Sequence, residues 1–171
     1  PSFSGATITA AYQNDGGAAA VAGSYHDFAI AVSPEAVEGL TLGYGAGSVP
    51  VAGNELEKDN STMYVKYAIG GFTVGYQQSE SDHDTASSST ESMAYGVTYA
   101  VNDDFSVGYS YHETEFDAAA SDNTDQESTG ISFSYTMGGM TLAGAMNEVD
   151  AIAGTATRDA EGYEFGLSFA F

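Results

Sequence analysis

The chain has 171 residues, enough for one domain, and carries three Lys or Arg against 24 Asp or Glu, a formal charge of −21. That balance excludes nucleic acid as a partner and docking to anionic lipid through a basic patch, and the absence of cysteine excludes disulfides and thiolate metal sites or nucleophiles. The apolar inventory is Ala, Gly, Tyr, Phe and Met rather than the Leu, Ile and Val clusters of a soluble core, with 21 Gly, 12 Tyr and 9 Phe, and no run approaches the roughly 18 to 20 apolar residues of a spanning helix.

Pro1 to Gly5 show no basic segment followed by an apolar one, so an exported chain of this sequence is either processed or lacks its N-terminal part. From there on, bulky apolar residues recur at every second position, the period of a strand. Strands are predicted in chain order at 3–13, 20–32, 40–48, 60–69, 72–80, 91–101, 104–115, 127–137, 140–149 and 161–171. In the second, Val21, Gly23 and Tyr25 are out of phase with Phe28, Ile30 and Val32, which predicts a bulge. The clearest alternations are Met63, Val65, Tyr67 and Ile69; Phe72, Val74 and Tyr76; Met93, Tyr95, Val97, Tyr99 and Val101; Phe105, Val107, Tyr109 and Tyr111; and Ile131, Phe133, Tyr135 and Met137.

The connections alternate in length. Tight turns are predicted at Gly70-Gly71, Asn102-Asp103-Asp104 and Gly138-Gly139, and a further turn around Ser33 to Gly39. Long polar loops are predicted at Gly47 to Asp59, Ser81 to Thr90, Asp117 to Gln126 and Asp150 to Ala160, with a shorter one at Asn14 to Ala19. Short turn and long loop in strict succession is the layout of a transmembrane antiparallel up-and-down β-barrel, with periplasmic turns and extracellular loops. Ten residues tilted by about 45° rise roughly 23 Å, the height of the outer-membrane apolar band. Tyr67, Phe72, Tyr99, Phe105, Tyr163 and Phe171 fall near strand ends, as an interfacial girdle requires.

A soluble sandwich would put Lys, Glu and Arg on the face opposite its apolar one. Here that face is mostly Gly, Ser, Thr and Ala. Acid collects in the loops and at the upper strand ends, at Glu80, Asp82, Asp84, Glu91, Glu113, Glu115, Asp117, Asp122, Asp125 and Glu127, where it is expected to favour cations at the entrance of a pore.

Two segments carry a family likeness. The terminal run Tyr163, Phe165, Leu167, Phe169 and Phe171, an aromatic residue in last place, resembles the C-terminal signal read by the outer-membrane barrel assembly machinery. Pro1-Ser2-Phe3-Ser4-Gly5 followed by Ala6 to Tyr12 resembles the strand after the pore-constricting loop in the general porins of alphaproteobacteria and their relatives. The resemblance implies an all-β fold in which residues 1–171 form a single barrel region, strands 7 to 16 of 16, with the first six strands and the constriction loop outside this chain. It also implies a homotrimer in the Gram-negative outer membrane, in contact with lipid and lipopolysaccharide, that passes ions and small hydrophilic solutes.

Passive permeation needs no catalytic group or cofactor, only a water-filled lumen with fixed charges. Lys66 shares the face of Tyr64 and Ala68, opposite Val65 and Tyr67, so it is the pore-lining candidate; alternatively it pairs with a neighbouring acid. Gly75, Gly96, Gly108, Gly130 and Gly166 either keep the channel wide or relieve strand curvature. Asp122, Asp125 and Glu127 form the most oxygen-rich loop and are the candidate ligands for Ca²⁺, against the plainer reading of a solvated acidic loop. His83 and His112 show no sequence link to a nucleophile, so the chain is read as a non-enzyme. Two further readings stay open: a complete ten-stranded barrel acting as a rim protease or adhesin, and a soluble acidic β-domain.

Overall fold

The structure is a computed structural model that describes residues 2–3, 5–13, 24–50, 57–83, 89–117 and 124–170. It is one antiparallel sheet in which every strand pairs with its neighbours in sequence. The strands are β1 Ser2–Phe3, β2 Ala6–Gln13, β3 Tyr25–Val32, β4 Leu40–Pro50, β5 Glu57–Ile69 and β6 Phe72–His83. They continue as β7 Ser89–Ala100, β8 Phe105–Asp117, β9 Gln126–Met137, β10 Met140–Asp150 and β11 Ala160–Phe169, with one short 3-10 turn at Ile152–Gly154. No helix among the described residues is long and apolar enough to cross a membrane.

Three differences from the sequence expectation have local causes. The first predicted strand is broken: Phe3 folds back to pair with Ala6 through Gly5, whose φ of 82° suits glycine, and the Gly5 carbonyl accepts from Ser33 N–H at 2.7 Å. The predicted bulge is absent from the described part of its strand, where pairing runs unbroken from Gln13↔Tyr25 to Ala6↔Val32. Tyr25 is out of phase with Phe28 because it lies on the other face; Val21 and Gly23 are outside the described residues. The predicted loops are also shorter, because β4 pairs with β5 up to Pro50↔Glu57 and β6 runs to His83. In β5 and β6 backbone pairing continues there through residues that are polar on both faces, which erases the period-two signal.

The short turns form where expected. Gly70 and Gly138 supply the positive φ of their hairpins, and the Asn102 side-chain oxygen accepts from Asp104 N–H and Phe105 N–H, both at 2.9 Å.

Hydrogen-bonded rows across the sheet show its two faces. One row reads Leu40, Tyr67, Val74, Val97, Tyr109, Ile131, Met146 and Tyr163 from β4 to β11. The row beside it reads Thr41, Lys66, Gly75, Gly96, Ser110, Gly130, Asn147 and Gly162. Within the apolar face Gly144 leaves a gap between Leu142 and Met146, which the rings of Phe133 and Phe165 fill: a Cβ at Gly144 would meet them at 2.6 and 3.1 Å. The apolar row starts at the first residue of β4 but stands six residues above the turn-side end of β11. The strands are thus slid on average by nearly one residue per strand, a tilt of roughly 30° for strands about 4.8 Å apart.

Among the described residues nothing packs against the apolar face. Among the described residues the only buried hydrophobic side chain is Ala151, while Ile131 is 58 % and Phe165 73 % exposed. A soluble sheet of this area would bury that face against a second layer.

Candidate functional site

The face of small and polar residues is the concave one. A hollow on it, about 660 Å³, is lined by Tyr25, Asp27, Ala29, Gly45, Gly47, Val49, Asn60, Thr62, Ser79, Ser81, Thr90 and Ser92 of that face, with neighbouring residues of the same strands. The small side chains are used as packing space: a Cβ on Gly43 would meet the Tyr64 ring at 2.0 Å, so this tyrosine lies flat on the wall over a glycine.

Lys66 sits in this wall. Its cross-strand neighbours are Thr41 and Gly75, and the diagonal ones are Gly39, Gly43, Thr73 and Gln77. None is acidic, so the alternative of a neighbouring acid as partner finds no candidate at these positions. The strands place four Lys, Arg, Asp or Glu residues on the concave face among the described residues: Asp27 and Glu164 against Lys58 and Lys66. The concave wall is therefore balanced in charge although the chain is strongly acidic.

The acid of the strand tops is on the other face. Counting by twos from Phe72 through Val74, Tyr76 and Gln78 reaches Glu80 and Asp82, and the same parity holds for Asp59, Glu91, Glu113, Glu115, Glu127, Glu148, Asp150 and Glu161. In each strand from β5 to β11 the first outward acid stands eight to ten residues above the turn-side apolar residue. With the tilt above, that is roughly 22 to 29 Å, the top of an apolar band about 25 Å tall. Stacked tyrosines mark the same boundary: Tyr95 and Tyr111 have ring centroids 5.0 Å apart, and the Tyr111 hydroxyl donates to Glu113 at 2.6 Å.

These strand-top carboxylates, expected from the sequence to favour cations, point away from the concave face. They also oppose one another directly, as Glu80 with Glu91, Glu91 with Glu115, Glu113 with Glu127, and Glu127 with Asp150. Like charges in opposed positions are destabilising, so Glu91→Gln is expected to stabilise the protein by about 0.2–1 kcal/mol for each of its two pairs. A higher unfolding midpoint in detergent checks it.

Of the three Ca²⁺ candidates, two fall on described residues. Asp122 is outside the described residues, Asp125 precedes β9, and Glu127 is outward in β9, between Glu113 and Asp150. Among the described residues no group of three or more His, Asp or Glu is arranged to hold a metal ion. His112 lies on the concave face between Ala94 and Ser128, and His83 pairs with Lys58, so neither has a carboxylate in register to orient it as a base. The terminal residues Tyr163, Phe165, Leu167 and Phe169 are all on the apolar face of β11 and well exposed; Phe171 is outside the described residues.

Above the wall, residues 151–159 fold onto the top of β9. Ala153 N–H donates to the Gln126 side chain at 2.9 Å and Ala151 N–H to Asp159 at 3.1 Å. Ala151 and Ala153 have φ of 52° and 54°, a left-handed conformation that costs on the order of 1 kcal/mol each outside glycine.

Sequence reasoning missed Asp27 and the rows of hydroxyls beside it. The signal was present, since Asp27 alternates with Phe28 and Ser79 with Glu80, but which groups meet across strands depends on register.

An antiparallel up-and-down sheet with an uncovered apolar face, a concave polar face and an aromatic boundary is the wall of a membrane β-barrel. The family model for Gram-negative porins matches residues 1–171, and the chain belongs to that family, whose setting is the outer membrane. Among solved structures it is similar to the anion-selective porin from Comamonas acidovorans, at 20% identity and a TM-score of 0.76, covering 100% of this chain and 57% of that one. It is also similar to the NanC porin, at 13% identity and a TM-score of 0.59, covering 99% of this chain and 96% of that one. These likenesses are of fold. A search of curated proteins finds no match.

Proposed function

We propose that this chain supplies the wall of a water-filled outer-membrane pore through which ions and small hydrophilic solutes diffuse passively. The observation that carries this reading is the two-faced sheet: an apolar face that no described residue covers, set back to back with a concave face of Gly, Ala, Ser and Thr. Such a wall leaves space and hydrogen-bonding groups inside without a catalytic constellation or a cofactor. The long connections are extracellular and the short turns periplasmic in this reading, as in outer-membrane barrels generally, and the acidic collar lies at the edge of the apolar band, since carboxylates are costly in the hydrocarbon.

The reading as ten strands of a larger barrel is supported by the sheet edges. Among the described residues β11 pairs with β10 and with no other strand, and an unpaired edge in lipid costs several kcal/mol for each bare backbone group. The chain also spans 57% of the Comamonas porin, the relative it fits with the higher TM-score. We place strands 7 to 16 here, with the exposed residues Tyr163, Phe165, Leu167 and Phe169 as the segment offered to the assembly machinery, in a homotrimer surrounded by lipid and lipopolysaccharide. Lys66 is a fixed positive charge of the wall.

Full-length protein reconstituted in planar bilayers is expected to give stepwise, ohmic conductance. A folded, membrane-inserted protein that never conducts would overturn the reading.

A further inference from the structure

We propose that the upper concave wall between β3 and β7 is a binding subsite for neutral polyhydroxylated solutes of mono- or disaccharide size. The inference rests on the pore reading for which side solute meets, and goes beyond it in assigning a ligand class to one part of the wall.

Two adjacent rows build the hollow. The first runs Asp27, Gly47, Asn60, Ser81 and Thr90, and the second Ala29, Gly45, Thr62, Ser79 and Ser92, each in direct register from β3 to β7. The β3 and β4 side is floored by alanine and glycine, which gives depth; the β5 to β7 side presents one amide and five hydroxyls. At about 660 Å³ the hollow falls within the 300–1,000 Å³ typical of small-molecule sites.

The chemistry of these groups matches a sugar rather than an ion. A hydroxyl both donates and accepts, as does each hydroxyl of a polyol, so a row of them can pair with a polyol at several offsets. Two carboxylates border the hollow and no base does: Asp27, which already accepts a hydrogen bond from the Tyr25 hydroxyl, and Glu80, whose strand position faces the other way. In the upper row Asn60 donates weakly to the Lys58 carbonyl at 3.4 Å, while the buried Ser81 Oγ has no hydrogen-bond partner among the described residues and stands in register with Thr90. The lower row is held in place, with Thr62 and Ser79 hydroxyls 2.8 Å apart and Gln77 donating to Ser79 at 3.1 Å, so its oxygens are oriented before a solute arrives. Tyr25 at the upper rim adds an aromatic ring against which the apolar face of a sugar can rest.

The test uses full-length protein and sucrose, with two readouts. Saturation-transfer NMR on detergent-solubilised protein reports binding whether or not the protein conducts, and sucrose-dependent reduction of single-channel current, corrected for bulk conductivity, reports binding in the pore. The triple variant Thr62→Val, Ser79→Ala, Thr90→Val removes three hydroxyls while keeping strand-forming residues at the two threonine positions. It is expected to weaken sucrose binding about ten-fold by both readouts, and tetraethylene glycol, which lacks the array of hydroxyls, is expected to compete poorly. Unchanged sucrose binding in the variant, or no binding to wild type in a protein that conducts, overturns the subsite. Saturation transfer that is lost in the variant, from a protein that does not conduct, keeps the subsite and overturns the pore.

Discussion

Tyr109→Arg is expected to destabilise folding into a bilayer by ~2–4 kcal/mol, the cost of an arginine on the lipid face near the midplane. Tyr109 stands between Val97 and Ile131 on the convex face, four residues above the turn-side end of β8, which is roughly 11 Å into the apolar band. Ser110→Arg, one residue further on, should change stability by no more than about 0.5 kcal/mol. Ser110 faces the other way, between Gly96 and Gly130, where a long side chain has space and water. Urea titrations of refolding in lipid vesicles measure both. Equal penalties for the two variants would refute the assignment of faces.

The second large effect is on selectivity. The concave strand positions balance two acids against two bases, so Lys66→Glu leaves a net charge of −2 on this part of the wall. For an ion passing about 10 Å away in water, with a Debye length of about 10 Å, inverting one unit charge changes the relative energy of cation and anion by roughly 0.6 kcal/mol, about a three-fold rise in the cation-to-anion permeability ratio. Reversal potentials in a salt gradient report it. The convex variant Glu91→Gln, which alters charge by one unit on the lipid side of the collar, is the matched control and should leave the reversal potential in place. A shift with Glu91→Gln as large as that with Lys66→Glu would mean that the collar, not the wall, sets the field.

Much of this architecture can be read along the chain, because each strand of a one-layer barrel carries its whole environment in its own alternation. Phe72, Val74 and Tyr76 on one parity and Thr73, Gly75 and Gln77 on the other define both faces of β6 without knowledge of any other strand. The same argument explains where the reading stops. At the tops of β5 and β6 both parities are polar, so Asp59 and Asp82 looked like loop although they are paired. The break at Gly5 was hidden because Phe3 and Ala6 continue an acceptable strand pattern, and only the pairing of Phe3 with Ala6 reveals the hairpin.

Direction was the larger loss. Acid at Glu80 and Glu91 was legible as strand-top charge, and its outward parity could have been counted from Phe72 or Tyr99. Proximity to the entrance was taken in place of facing. The environment of Lys66 could not be counted at all, since Thr41 and Gly75 come from strands on either side and reach it only through register.

The one-residue slide between strands has a consequence for anything moving along the pore. Rows perpendicular to tilted strands are not level with the membrane, so the run Thr62, Ser79, Ser92, Thr114 and Gln126 climbs about 2–3 Å with each strand. A solute descending the axis therefore does not cross a single ring of hydroxyls and leave it. It meets them as the thread of a screw, one contact exchanged for the next as it turns.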